Sequence, residues 1–171
     1  GPVEFTQGDK DRAPKFSPSG DTLAFLRSSA EVPGQGDAKR QIWLMSAGGG
    51  EARQLTHESG GVTELAWSPD SRQIAFCADV EPAPSVEANS MPQVKEVTRL
   101  RYRYDTLGWR GDAHFHIFVS EVSSGATIQL TDGDWDDFSP VWSPDGTNVA
   151  FISGRGADRD KYALTEAYVV P

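Results

Sequence analysis

The sequence predicts an all-β fold: a partial β-propeller holding about three four-stranded antiparallel blades' worth of strands. Three observations carry this reading. A ten-residue phrase recurs three times, as Phe16-Ser17-Pro18-Ser19-Gly20-Asp21-Thr22-Leu23-Ala24-Phe25, Trp67-Ser68-Pro69-Asp70-Ser71-Arg72-Gln73-Ile74-Ala75-Phe76 and Trp142-Ser143-Pro144-Asp145-Gly146-Thr147-Asn148-Val149-Ala150-Phe151. Other short apolar runs keep fixed distances from it, and self-similarity at such a period marks a repeat architecture. Apolar residues never recur at helical spacing over several turns, and the chain holds 17 Gly and 11 Pro. A β-sandwich is the structural alternative, but a sandwich does not require a repeated phrase.

Each phrase reads as a hairpin. Ala13-Pro14-Lys15-Phe16, Glu64-Leu65-Ala66-Trp67 and Pro140-Val141-Trp142 are short strands of type A. Ser-Pro-Asp-Gly supplies the turn: Pro sets φ near −65°, Asp bonds the backbone that follows, and Gly accepts positive φ. Ser71 replaces that Gly in the second copy, which predicts strain or a different turn there. Type-B strands follow as Leu23-Ala24-Phe25-Leu26, Ile74-Ala75-Phe76-Cys77 and Val149-Ala150-Phe151-Ile152, apolar on both faces as strands between two sheets must be. Type-C strands are Gln41-Ile42-Trp43-Leu44-Met45, His116-Ile117-Phe118-Val119 and Ala167-Tyr168-Val169-Val170. Small-residue turns lead to type-D strands at Arg53-Gln54-Leu55-Thr56 and Ile128-Gln129-Leu130-Thr131, with Val3-Glu4-Phe5-Thr6 a further copy of D.

Four strands in about 50 residues make the unit of a propeller blade. The units fall at about 1–12 (strand D only), 13–60, 61–138, and 139–171 (strands A to C), twelve strands in all. Such a count does not close a ring of four to eight blades, so the chain reads as a propeller segment, and its open blade edges invite self-association by strand addition. Phe25 to Trp43 spans 18 positions but Phe76 to Phe118 spans 42. An insertion of about two dozen residues therefore lies within 79–113. It starts polar and Pro-rich and ends in a basic-aromatic stretch from Thr98 to Arg110.

Composition narrows the function classes. Hydrophobic residues make up 37% of the chain, mean hydropathy is −0.47, and no apolar run approaches the roughly 20 residues of a membrane span. A net charge of −9 argues against nucleic acid or an anionic membrane as the main partner. The start, Gly1-Pro2-Val3-Glu4-Phe5, has no basic n-region or apolar h-region, and the single cysteine, Cys77, excludes an internal disulfide. A cytoplasmic setting is expected.

The Trp-Ser-Pro-Asp-Gly hairpin, with Ile-Trp-Leu-Met and Gly-Gly-Glu-Ala-Arg-Gln-Leu-Thr after it, resembles the PD40 (TolB-like) propeller repeat. The stretch Arg99-Leu100-Arg101-Tyr102-Arg103-Tyr104, with Gly108-Trp109-Arg110-Gly111-Asp112 and His116-Ile117-Phe118-Val119, is similar to the N-terminal propeller of bacterial prolyl oligopeptidase-family (S9) serine peptidases, in the acylaminoacyl-peptidase branch. The resemblance implies a divided enzyme. A propeller restricts access to a C-terminal α/β-hydrolase domain that carries the Ser-Asp-His triad, and peptides are the substrates. The chain has no Gly-x-Ser-x-Gly elbow, so no catalytic residue is assigned and no peptidase activity is expected of it alone. A TolB-like propeller acting as a protein-binding module is the alternative.

The residues expected to contact substrate are Arg99, Arg101, Tyr102, Arg103, Tyr104 and Arg110. In an extended stretch Arg101 and Arg103 share one face and Tyr102 and Tyr104 the other, and guanidinium forks suit a peptide carboxylate. The competing reading is a strand whose arginines pair with surface acids. His114 and His116 face the same way, but without carboxylate or cysteine at ligand spacing they are not read as a metal pair. Arg110-Gly111-Asp112 is taken as a chance tripeptide. Asp132, Asp134, Asp136 and Asp137 around Trp135 lack the EF-hand pattern and read as a solvated turn. No cofactor or metal is expected. Cys77 reads as a small buried hydrophobe, and Trp43, Trp67 and Trp142 as blade core.

Overall fold

The computed structural model describes residues 1–8, 10–28, 39–81, 103–104, 108–110, 112–159, 161–162 and 164–171. Their secondary structure is strand and turn, with no helix among the described residues. Three antiparallel sheets follow one another along the chain. Blade I is β1 (Arg12–Phe16), β2 (Thr22–Ser28), β3 (Arg40–Ser46) and β4 (Arg53–Gln54), in that spatial order. Blade II is β5 (Val62–Trp67), β6 (Gln73–Val80), β9 (His114–Glu121) and β10 (Thr127–Gln129); between β6 and β9 lies a separate two-stranded ladder, β7 (Arg103–Tyr104) with β8 (Gly108–Trp109). Blade III is β11 (Asp137–Trp142), β12 (Val149–Ser153) and β13 (Glu166–Val170). The A-B-C-D order read from the repeat is the observed one, and the insertion falls between β6 and β9. Residues 1–8 carry no strand, so Val3–Thr6 does not extend a sheet here: an isolated strand has no ladder partner to satisfy its backbone.

The repeated phrase closes the A–B hairpin identically three times. Ser17, Ser68 and Ser143 donate their amides to the carbonyls of Thr22, Gln73 and Asn148 at 2.8, 2.9 and 2.8 Å. The serine carbonyl is already taken by the amide three residues on. The return amide of Thr22, Gln73 or Asn148 therefore donates to the serine hydroxyl, at 3.1, 2.9 and 3.0 Å. This is why the phrase opens on Ser. Asp70 and Asp145 each accept from that hydroxyl and from the amide two residues further on. The Ser143 hydroxyl and Thr147 hold the exposed Asp145 carboxyl down at about 2. Gly20 and Gly146 adopt φ of 80° and 71°; Ser71 is forced to 63°, so the predicted strain is present.

Alternation along the inner strands makes the interior. Ile74, Phe76 and Ala78 of β6 pack with Ala24, Leu26, Ile42 and Leu44 of blade I. Ala75 and Cys77 face the other way, onto Val149 and Phe151 of blade III. One strand thus serves two cores, which explains runs without polar alternation. Phe76 stacks on its cross-strand partner Phe118 at 5.5 Å between centroids; burying a ring of this size contributes about 1.5–3 kcal/mol. Cys77 is fully buried, and desolvation pushes its thiol up to about 12, as suits a small core residue.

The anchor tryptophans knit blade to blade. Trp67 Nε1 donates to the Lys15 carbonyl at 3.0 Å, and Trp142 Nε1 donates to the Ala66 carbonyl at 3.1 Å. In each case the acceptor is the residue just before the preceding anchor. Phe16 occupies the same place in blade I without an N–H to offer. Lys15 Nζ to the Leu65 carbonyl (2.7 Å) and the Ser139 amide to Glu64 Oε2 (2.6 Å) add further bonds between the type-A strands. Ala13 and Ser139, each before a proline, sit at bulges in β1 and β11 with φ of 51° and 54°.

Candidate functional site

The strands of a four-stranded antiparallel meander leave a blade at two opposite ends. The Ser-Pro turns lie at one. At the other, β6 ends, the insertion leaves, β9 begins and the 130–136 loop enters β11, and here the charged side chains gather. Arg110, at the far foot of the insertion, is buried with only 4% of its side chain exposed. Its Nη1 and Nη2 donate to Asp79 Oδ2 and Oδ1, both at 3.0 Å, and Nη2 also reaches the Ala113 carbonyl at 2.9 Å. The guanidinium lies over the Phe115 ring at 4.0 Å, with Asp136 Oδ1 at 3.5 Å.

The acidic loop is the main departure from the sequence reading. Asp136 and Asp137 are not a solvated turn: Asp137 is completely buried, and Asp136 faces the foot of the insertion. Gly133 makes the fold-back possible, because a Cβ there would meet the Trp135 ring at 2.4 Å. Asp136 accepts from the Phe115 amide at 2.9 Å. Asp137 takes Arg155 Nη2 at 3.2 Å and faces His116 Nδ1 at 3.4 Å. His114 Nε2 is 3.2 Å from Asp134 Oδ1, and its Nδ1 is at ion-pair distance, 3.5 Å, from Asp136. Asp134 also receives Arg159 from the loop after β12. Arg155 lies over Trp135, Phe151 and Tyr168 at 4.7, 5.3 and 4.6 Å.

Burial pushes the Asp136 carboxyl up, but His114, the Phe115 amide and Arg110 outweigh it and hold the group below the usual range. Burial acts likewise on Asp137, where His116, Ser153, Thr131 and Arg155 prevail. Asp136, and after it Asp134, raise His114 above the ordinary imidazole value against desolvation. Among the described residues no group of three or more His, Cys, Asp or Glu side chains is arranged to hold a metal ion. His114 and His116 each face aspartate side chains of the loop entering β11. The contacts missed in the sequence are those of His114 with Asp134 and Asp136 and of His116 with Asp137, which no local spacing signals.

Of the six expected substrate-contact residues, Arg99, Arg101 and Tyr102 lie outside the described residues. Arg103 and Tyr104 form β7, where the backbone of Arg103 is paired with that of Trp109 and that of Tyr104 with Gly108. Arg110 is committed to Asp79 and Asp136, as above. No helix among the described residues is long and apolar enough to cross a membrane.

Repeat and blade topology define a segment of a β-propeller. No family model matches the chain. It is 33% identical over 99% of its length to the uncharacterized peptidase YuxL of Bacillus subtilis, and spans 26% of that protein. The acylaminoacyl peptidase of Pyrococcus horikoshii superposes with a TM-score of 0.70 at 15% identity, over 94% of this chain and 23% of that one. TolB of Acinetobacter baumannii gives 0.56 at 17% identity, over 98% and 30%. The chain has a β-propeller fold and is similar in sequence to a protein named as a peptidase, and it spans about a quarter of the length of that relative.

Proposed function

We propose that this chain is the non-catalytic propeller segment of a prolyl oligopeptidase-family serine peptidase, and that it gates the access of peptide substrates to a separate α/β-hydrolase domain. The observation that carries the reading is the 33% identity, running through 99% of the chain, to a protein named as a peptidase. The fold likeness to an acylaminoacyl peptidase agrees with it. The parent protein then releases acylated amino acids or short peptide ends. Arg99, Arg101, Tyr102, Arg103 and Tyr104 are the residues that contact the peptide in this reading. A cytoplasmic setting belongs to the same proposal, as does self-association; sedimentation showing a monomer at all concentrations would remove the latter.

A fluorophosphonate probe tests the central point. It is expected to label the full-length parent at a serine outside residues 1–171 and to abolish hydrolysis of acyl-peptide substrates, while the 171-residue chain alone hydrolyses nothing. A parent that is neither labelled nor active would favour the second reading, a protein-binding propeller, which the 28% identity to a TolB homolog of Chlorobium luteolum over 73% of the chain supports.

A further inference from the structure

Among the described residues, each blade carries an Arg–Asp pair at the end where the insertion leaves in which the guanidinium is laid over an aromatic ring. In blade I, Arg27 donates from Nε and Nη2 to Asp11 at 2.8 Å each and covers Phe25 and Trp43. In blade III, Arg155 reaches Asp137. Both pairs tie the segment entering strand A to the end of strand B or just beyond it, within one hairpin. In blade II the pair is placed differently. Asp79, near the end of β6, is joined to Arg110, 31 residues later, across the whole insertion.

We propose that Arg110 and Asp79 are positioning residues: their two-pronged pair, braced by Asp136 and Phe115, fixes the points where the chain leaves and re-enters blade II and ties both to the loop entering blade III. The geometry suits that role better than a stabilising one. The pair is withdrawn from water, and desolvation pushes the Asp79 carboxyl up in spite of Arg110. A buried ion pair contributes little net stability over apolar residues of similar size, but its directional bonds select one arrangement. Gly60 adds a steric limit, since a Cβ there would meet the Asp79 carbonyl at 1.9 Å. The consequence for substrate choice rests on the gating reading above.

The test uses the full-length protein with the double substitution Asp79→Leu/Arg110→Met, which removes both charges at similar volume, together with Arg110→Lys, which keeps the charge and loses the fork. Arg27→Lys in blade I is the control. Hydrogen exchange at the amides of Asp79, Ala113 and Phe115, at the two feet of the insertion, is expected to quicken about tenfold in both variants, with blades I and III unchanged. The ratio of kcat/KM for long over short acyl peptides is expected to shift. Arg27→Lys is expected to do neither. Unchanged exchange, quickened exchange with unchanged length discrimination in an active parent, or an equal effect from Arg27→Lys would overturn the proposal. A parent without peptidase activity would refute the gating reading alone, and exchange would still decide this one.

Discussion

Ser71 offers a test of how the repeat shapes its turns. Its φ of 63° is the conformation that Gly20 and Gly146 take at the same place in blades I and III. A left-handed conformation costs an L-residue about 1–2 kcal/mol relative to glycine. Ser71 also does something glycine cannot: its hydroxyl accepts the Ser19 amide of blade I at 3.0 Å. Comparing Ser71→Gly with Ser71→Ala separates the two effects. Both variants lose the hydroxyl, so the difference between them reports the backbone alone. The glycine variant is expected to be the more stable by about 1 kcal/mol, or roughly 2–4 °C in Tm for a chain of this size. In the interior of an ordinary strand the order reverses, because glycine is the poorer residue there by about 0.5–1 kcal/mol. The assay is urea or thermal unfolding of the two variants side by side. An alanine variant equal to or more stable than the glycine variant would refute the reasoning that the turn demands positive φ.

Two further outcomes follow from the inter-blade contacts. Trp142→Phe keeps the ring and removes the donor to the Ala66 carbonyl; it is expected to cost about 1 kcal/mol, read by denaturant unfolding, with Trp67→Phe behaving alike through the Lys15 carbonyl. His114 holds its proton more tightly in the folded chain than its ordinary value of 6.5, because of Asp136 and Asp134. Its contribution is therefore complete below pH 6.5 and is lost as pH rises through the higher folded value. Stability measured from pH 6 to 9 is expected to fall across that window in the wild type and to fall less in His114→Asn; equal slopes would contradict the assignment.

The blade plan was legible because a hairpin that needs Ser at its first position and positive φ at its fourth leaves the same letters each time. The B strands were legible for a related reason: Ile74 to Cys77 must satisfy two cores at once, so polar residues are excluded from both faces. The position of the insertion followed from a broken spacing. The charged end of blades II and III was not legible. Asp134, Asp136 and Asp137 look like any acidic turn, and only the fold-back permitted by Gly133 carries them to His114, His116 and Arg110. Arg110 likewise reads as one more base in a basic stretch, and its distinction comes from Asp79, 31 residues away. Spacing reveals local hydrogen bonds and sheet alternation; it does not reveal which distant charge a buried guanidinium meets.

The central claim, that this propeller restricts entry to a peptidase, is tested most directly by the length dependence of hydrolysis. The measurement is kcat/KM of the full-length protein for a series of acyl peptides that share one scissile bond and grow by a few residues at a time. The account predicts ready cleavage of the shortest members and a steep fall as length increases, with the serine labelled equally by a small fluorophosphonate throughout. A flat profile from the shortest to the longest peptide would contradict it.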